Sequence, residues 1–97
     1  LVSIDNTSPE VSLSDDLDGR QFAYQAGEEI LFRAQAVDNA SLDVVKFYLD
    51  TRLAASRNQP PFAFSWEMEP GTHTLQVRAL DKAGNGATQS VAFQVVP

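Results

Sequence analysis

The chain has no cysteine, so disulfides, thiolate nucleophiles and sulfur-based zinc sites are all excluded. Its stability must come from packing, and a domain pinned by an antibody-type disulfide is ruled out. Secretion is not, because a module that packs well needs no disulfide. Positive charge is also scarce: seven Lys and Arg stand against thirteen Asp and Glu, for a net charge of −6. Such a surface repels phosphate backbones and anionic headgroups, so nucleic acid and acidic membrane surfaces are poor partners. No apolar run approaches the roughly 18 residues of a membrane helix, and direct membrane insertion is not expected. No charged-then-apolar leader opens the chain; a leader or anchor, if the protein has one, lies outside these residues. Helical spacing over ten or more residues is missing as well. What remains is 97 residues, 43% hydrophobic and 21% charged, the size and composition of one folded domain.

Alternation of apolar and polar residues dominates from Ile30 onward, which is the period of a half-buried strand. Ile30, Phe32, Ala34 and Ala36 share one face, opposite Leu31, Arg33, Gln35 and Val37; the first face is the expected core side. Val45, Phe47 and Leu49 repeat the pattern, and the turn Asp50-Thr51-Arg52 leads into a short partner strand over Leu53 to Ser56. After the polar, proline-containing break from Arg57 to Pro61, the residues Phe62, Phe64 and Trp66 point inward on the next strand. Pro70-Gly71 turns the chain again into a strand with His73, Leu75, Val77 and Ala79 inward. Asp81 to Gly86 then turns it into a last strand carrying Val91, Phe93 and Val95. Toward the N-terminus, Val11 and Leu13 mark a short first strand, Ser14 to Gly19 an acidic loop, and Phe22 and Tyr24 a segment packing near a sheet edge. Strands spaced by about 8–12 residues with turn chemistry between them indicate an all-β sandwich or barrel, of which we take the sandwich. Residues 1–8 read as the tail of a preceding domain or a linker, and 9–97 as the sandwich domain. Both ends look like cuts in a tandem array.

Four landmarks in order make the chain resemble the bacterial immunoglobulin-like domains repeated in surface adhesins and appended to secreted hydrolases. Val45-Lys46-Phe47-Tyr48-Leu49-Asp50 resembles that family's V-x-F-Y-V-D-G, and Pro61 to Trp66 its A-P-Y-S-F-x-W. Gly71-Thr72-His73-Thr74-Leu75 resembles G-x-H-x-L, and Asp81-Lys82-Ala83-Gly84-Asn85 resembles D-x-A-G-N. Thr51 stands where the family usually has glycine, which leaves the hairpin type open. The resemblance implies a seven-stranded immunoglobulin/fibronectin-III-like Greek-key sandwich, extracellular, cell-surface or periplasmic, with a role as spacer, scaffold or adhesive surface. It names no ligand, and a sandwich hosts many binding modes.

Trp66 could stack on a sugar, but its register with Phe62 and Phe64 places it in the core. Tyr48, on the opposite face, is the better exposed aromatic, although one ring is not a site. His73, the lone histidine, titrates near neutral pH; with no G-x-S-x-G serine motif in the chain, a packed histidine at the sandwich end is preferred to a catalyst. The carboxylate pairs Asp15/Asp16, Glu28/Glu29 and Glu67/Glu69 have the chemistry for glycoside hydrolysis but no visible cleft, so no enzyme activity is expected. The loop Ser14 to Gly19 imitates a calcium loop incompletely, since Gln25 falls where a bidentate glutamate is required, and a solvated loop is the plainer reading. A better calcium site follows from topology: Asp38 and Asn39, Asp81, and the linker residues Asp5 and Asn6 approach one pole of such a sandwich. The plainer alternative, which we prefer, is that Asp38 and Asp81 brace their own turns. Asn6-Thr7-Ser8 and Asn39-Ala40-Ser41 match the glycosylation sequon, a match that the resemblance to bacterial domains implies is accidental.

The functional expectation is a non-catalytic module that spaces, orients or presents neighbouring domains of the same chain, monomeric as a fragment. A glycan- or host-protein-binding module and an accessory domain of a polysaccharide-acting enzyme are the alternatives.

Overall fold

The structure, a computed structural model, describes residues 9–13, 17–37 and 42–97. These form eight strands: β1 (Glu10–Leu13), β2 (Gln21–Ala23), β3 (Glu29–Val37), β4 (Leu42–Leu49), β5 (Arg52–Arg57), β6 (Ala63–Glu67), β7 (Gly71–Asp81) and β8 (Gly86–Val96). They build two sheets, ordered β1-β3-β6 and β2-β8-β7-β4-β5. Only β4–β5 and β7–β8 are neighbours both in sequence and in space, so the chain otherwise crosses between the sheets. This is the Greek-key sandwich expected, with eight strands rather than seven. The additional strand is β2, which pairs parallel with the end of β8 through Gln21↔Gln94, Phe22↔Val95 and Ala23↔Val96. It is three residues long with Phe22 alone turned inward, too short for an alternation to show.

The core lies where the sheets face each other. Ile30 and Phe32 of β3, Val45 and Phe47 of β4, Phe64 of β6, Leu75, Val77 and Ala79 of β7, and Val91, Phe93 and Val95 of β8 are all buried, each on the inward register of its strand. Aromatic rings join the layers: Phe32 lies 5.4 Å from Phe93 and Phe47 lies 5.0 Å from Phe64, centroid to centroid. The acidic loop departs from a solvated one in its described part. Leu17 is buried in the core, the Ala92 N–H donates to Asp18 Oδ1 at 3.0 Å, and the Gly19 N–H donates to the Ala92 carbonyl at 2.7 Å. These contacts dock the loop against β8.

The two poles follow from the registers. Glu10 pairs with Val37, so β1 starts beside the end of β3, where β4 begins and β7 ends through Leu42↔Asp81. At the other pole Glu29↔Glu67 marks the start of β3, Gly71↔Val95 the end of β8, and Leu49↔Arg52 the β4–β5 turn. Residues 1–8, expected to be a linker or tail, lie outside the described residues.

Candidate functional site

The candidate calcium pole, for which turn-bracing is the preferred reading, is described at one of its five residues, Asp81. Asp5, Asn6, Asp38 and Asn39 lie outside the described residues, as do Asp15, Asp16 and both sequons. Asp81, at the end of β7, is 3% exposed and is held in the turn it opens. Its Oδ1 accepts the N–H of Ala83 at 2.9 Å and of Asn85 at 2.8 Å. Its Oδ2 accepts Asn85 Nδ2 at 3.2 Å, and its backbone N–H donates to the Asn85 carbonyl at 3.0 Å. Gly84 supplies the left-handed step at φ 94°, which a Cβ would strain. The D-x-A-G-N landmark is thus a side-chain-braced turn between β7 and β8.

At the opposite pole, sequence reasoning placed His73 correctly but missed its partner. His73 is 7% exposed and packs against the rings of Trp66, at 4.8 Å, and Phe93, at 5.6 Å. Its Nδ1 lies 2.6 Å from Asp50 Oδ2 and its Nε2 2.8 Å from the Glu69 carbonyl. A backbone carbonyl only accepts, so Nε2 carries a proton; an ionised carboxylate only accepts, so Nδ1 carries one too. With Asp50 ionised, this is the arrangement the protonated ring makes, donating from both nitrogens. Burial alone pulls the His73 pKa down, but the bonds to Asp50 and the Glu69 carbonyl outweigh it and raise it above the usual 6.5. Burial likewise pushes the Asp50 carboxyl up, and the bonds from His73 and the Thr74 N–H bring it below 3.8. Asp50 closes the arrangement twice more: its Oδ1 accepts the Thr74 N–H at 2.9 Å, and its own N–H donates to the Thr74 carbonyl at 2.9 Å. The ion pair ties the β4–β5 turn to the start of β7. The signal was available, since pairing the F-Y-L-D strand antiparallel with the G-T-H-T-L strand brings Asp50 beside Thr74, one residue from His73.

That turn resolves the hairpin type. Leu49 and Arg52 flank a two-residue loop in which Asp50 and Thr51 have φ of 51° and 72°. Two positive φ values in succession define a type I′ turn, with Thr51 in the position the family gives to glycine. Trp66 points inward as expected, yet it is half-buried: β6 ends one residue later, so its ring covers the rim of the core beside His73 rather than its centre. Tyr48 is half-buried too. Of the carboxylate pairs, Glu29 and Glu67 stand directly opposite one another across β3 and β6, with Glu28 and Glu69 next to them, all exposed.

A histidine held between Asp50 and the Glu69 carbonyl and packed under aromatic rings ties the β4–β5 turn to β7, and the two-layer architecture around it is that of the immunoglobulin and fibronectin-III class. The family model for the bacterial Ig domain matches residues 9–77, and the chain belongs to that family. Among solved structures, it is similar to the fibronectin(III)-like modules of CbhA from Clostridium thermocellum, with a TM-score of 0.75 and 22% identity over 90% of this chain and 97% of that one. That likeness is one of fold. No curated protein matches the chain.

Proposed function

We propose that this bacterial Ig domain is a non-catalytic spacer that sets the distance and direction between neighbouring domains of a secreted or surface-exposed protein. The observation that carries this reading is the placement of the first and last strands. β1 starts beside Val37 at the end of β3, whereas β8 finishes at the pole where β3 begins. The nine residues of β3 separate these points by about 3.3 Å each, roughly the full length of the sandwich. A neighbour on either side is then held at opposite poles, in line, and the acidic surface keeps such a string soluble. The only histidine and the buried aspartate are consumed by internal bonds, which suits a scaffold and leaves them unsuited to acid–base chemistry.

The test is a domain exchange in the parent protein. Replacing residues 9–97 by an unrelated Ig-like domain of the same length should preserve the activity of the flanking domains, whereas deleting them should impair it. An exchange as damaging as the deletion would overturn the spacer reading in favour of a specific surface on this domain.

A further inference from the structure

His73 is fastened on both sides, to partners that sit on different segments and differ in kind. Its Nδ1 meets the Asp50 carboxylate at 2.6 Å and its Nε2 the Glu69 main-chain carbonyl at 2.8 Å. Both partners accept only, so the two bonds need two ring protons, and a neutral imidazole has one. Deprotonation therefore removes one of the two bonds, and the partners decide which. The bond to the carboxylate is the shorter, and charge-assisted bonds are roughly twice as strong as those between neutral groups. The remaining proton stays on Nδ1, and the Nε2 lone pair is left facing the lone pairs of the Glu69 carbonyl.

That carbonyl belongs to a short span with little else to fix it. On one side of it the Met68 N–H donates to the Glu28 carbonyl at 3.0 Å, and on the other Gly71 pairs with Val95. Glu69 and Pro70 between these anchors are exposed, and among the described residues the bond from His73 is the one hydrogen bond that reaches them. The elements packed on the ring add no competing titration: β6 and β8 present the uncharged rings of Trp66 and Phe93. The charged neighbours are Asp50, from the β4–β5 turn, and Glu69, from the span itself, and both favour the protonated ring.

We propose that His73 is a proton-operated latch: protonated, it holds the connection between β6 and β7 through the Glu69 carbonyl, and on losing a proton it releases that connection while keeping Asp50. The latch is closed below pH 6.5 and opens as pH rises through the folded His73 value, which lies above 6.5. Because Gly71 stands beside Val95, the pole where β8 finishes loosens locally while the two sheets stay folded.

The experiment is an NMR pH titration of the isotopically labelled 97-residue chain, read at the His73 ring nitrogens, the Glu69 carbonyl carbon and the backbone relaxation of Glu69 and Gly71. We expect protons on both ring nitrogens on the acid side and on Nδ1 alone on the alkaline side, with the Glu69 carbonyl shift and a gain in mobility at Glu69 and Gly71 sharing the midpoint of the ring. Asp50→Asn gives the decisive contrast. Oδ1 of residue 50 accepts the Thr74 N–H, which orients the new amide with its NH2 in the place of Oδ2, where it donates to Nδ1. A neutral ring then keeps its proton on Nε2 and its bond to Glu69, so in this variant the ring pKa should fall relative to the parent chain and the span should stay held on the alkaline side. A neutral parent ring protonated on Nε2, a Glu69 carbonyl that does not follow the ring, mobility that rises throughout the strands, or release in Asp50→Asn equal to that in the parent would each overturn the proposal. If Asp50→Asn does not fold, the tautomer and the Glu69 carbonyl of the parent chain decide alone.

Discussion

Thr51 is a β-branched residue in a conformation that suits glycine. At φ 72° its Cβ crowds the following carbonyl, which costs about 1–2 kcal/mol in the left-handed region, while glycine would add roughly 0.5–1 kcal/mol of unfolded-state freedom. Thr51→Gly should therefore stabilise the domain by up to about 1 kcal/mol, read as a rise of a few degrees in a thermal melt. Asp50 needs no relief, since aspartate tolerates this region and its carboxylate is committed to His73 and Thr74. The same pair gives the domain a defined pH dependence. A histidine whose folded pKa is raised contributes stability that is complete below its unfolded value of 6.5 and is lost as pH rises through the folded value. An aspartate whose folded pKa is lowered contributes above 3.8 and is lost as pH falls through its folded value. The pair thus supports the fold most between these two unfolded values, and the melting temperature should decline as pH is raised from 6.5 through the folded His73 pKa and then level off. His73→Gln and Asp50→Asn should each flatten the decline, and NMR titration of the folded chain should place the His73 pKa above 6.5.

Pairing between strands explains both a weakness and the limits of reading this chain as text. Glu29 and Glu67 face one another in register, at a position where neither residue bonds the other's backbone. The Ile30↔Trp66 pair and the next pair outward, where the Met68 N–H donates to the Glu28 carbonyl, carry those bonds, and side chains come closest at the pair between them. Like charges placed opposite are destabilising. Glu67→Lys should raise stability by about 0.2–1 kcal/mol, in a urea titration whose gain shrinks as salt is added. The long strands were legible because five or more residues of alternation reveal the buried side, as with Val45 and Phe47 or Leu75, Val77 and Ala79. β2 was not, since one inward residue, Phe22, makes no period; its T-shaped contact with Phe93 at 5.8 Å becomes visible only once β8 is in place. Alternation also gives a side chain's direction but not its depth, which is why Trp66 proved a rim residue. Leu17 escaped because a loop residue enters the core without any pattern. The Asp50–His73 pair, 23 positions apart, depends on the register of β4 with β7, which no local window contains.

At the scale of the molecule, rings join the two sheets across the aliphatic core, and this coupling bears on whether the domain melts as one unit. Phe93 on β8 touches Phe32 on β3, Trp66 on β6 at 5.7 Å, and Phe22 on β2, so one side chain connects the three-stranded sheet with β8 and the edge strand β2 of the five-stranded one. A spacer that transmits direction between its poles needs such coupling, because sheets that slid or opened separately would let the ends swing. Truncating a buried phenylalanine removes its apolar area and leaves a void, a loss of about 3–5 kcal/mol against a total of roughly 5–15 for a small domain. Phe93→Ala should therefore consume a large share of the stability. The informative comparison is between probes. Trp66 fluorescence reports the ring contacts between the sheets, and far-ultraviolet circular dichroism reports the strands themselves. In urea the two should give coincident curves in the parent chain, as a two-state domain requires, and should remain coincident, at lower urea, in Phe93→Ala. Curves that separate in the parent chain would show that the sheets unfold independently, and a sandwich that loose could not hold its neighbours in line.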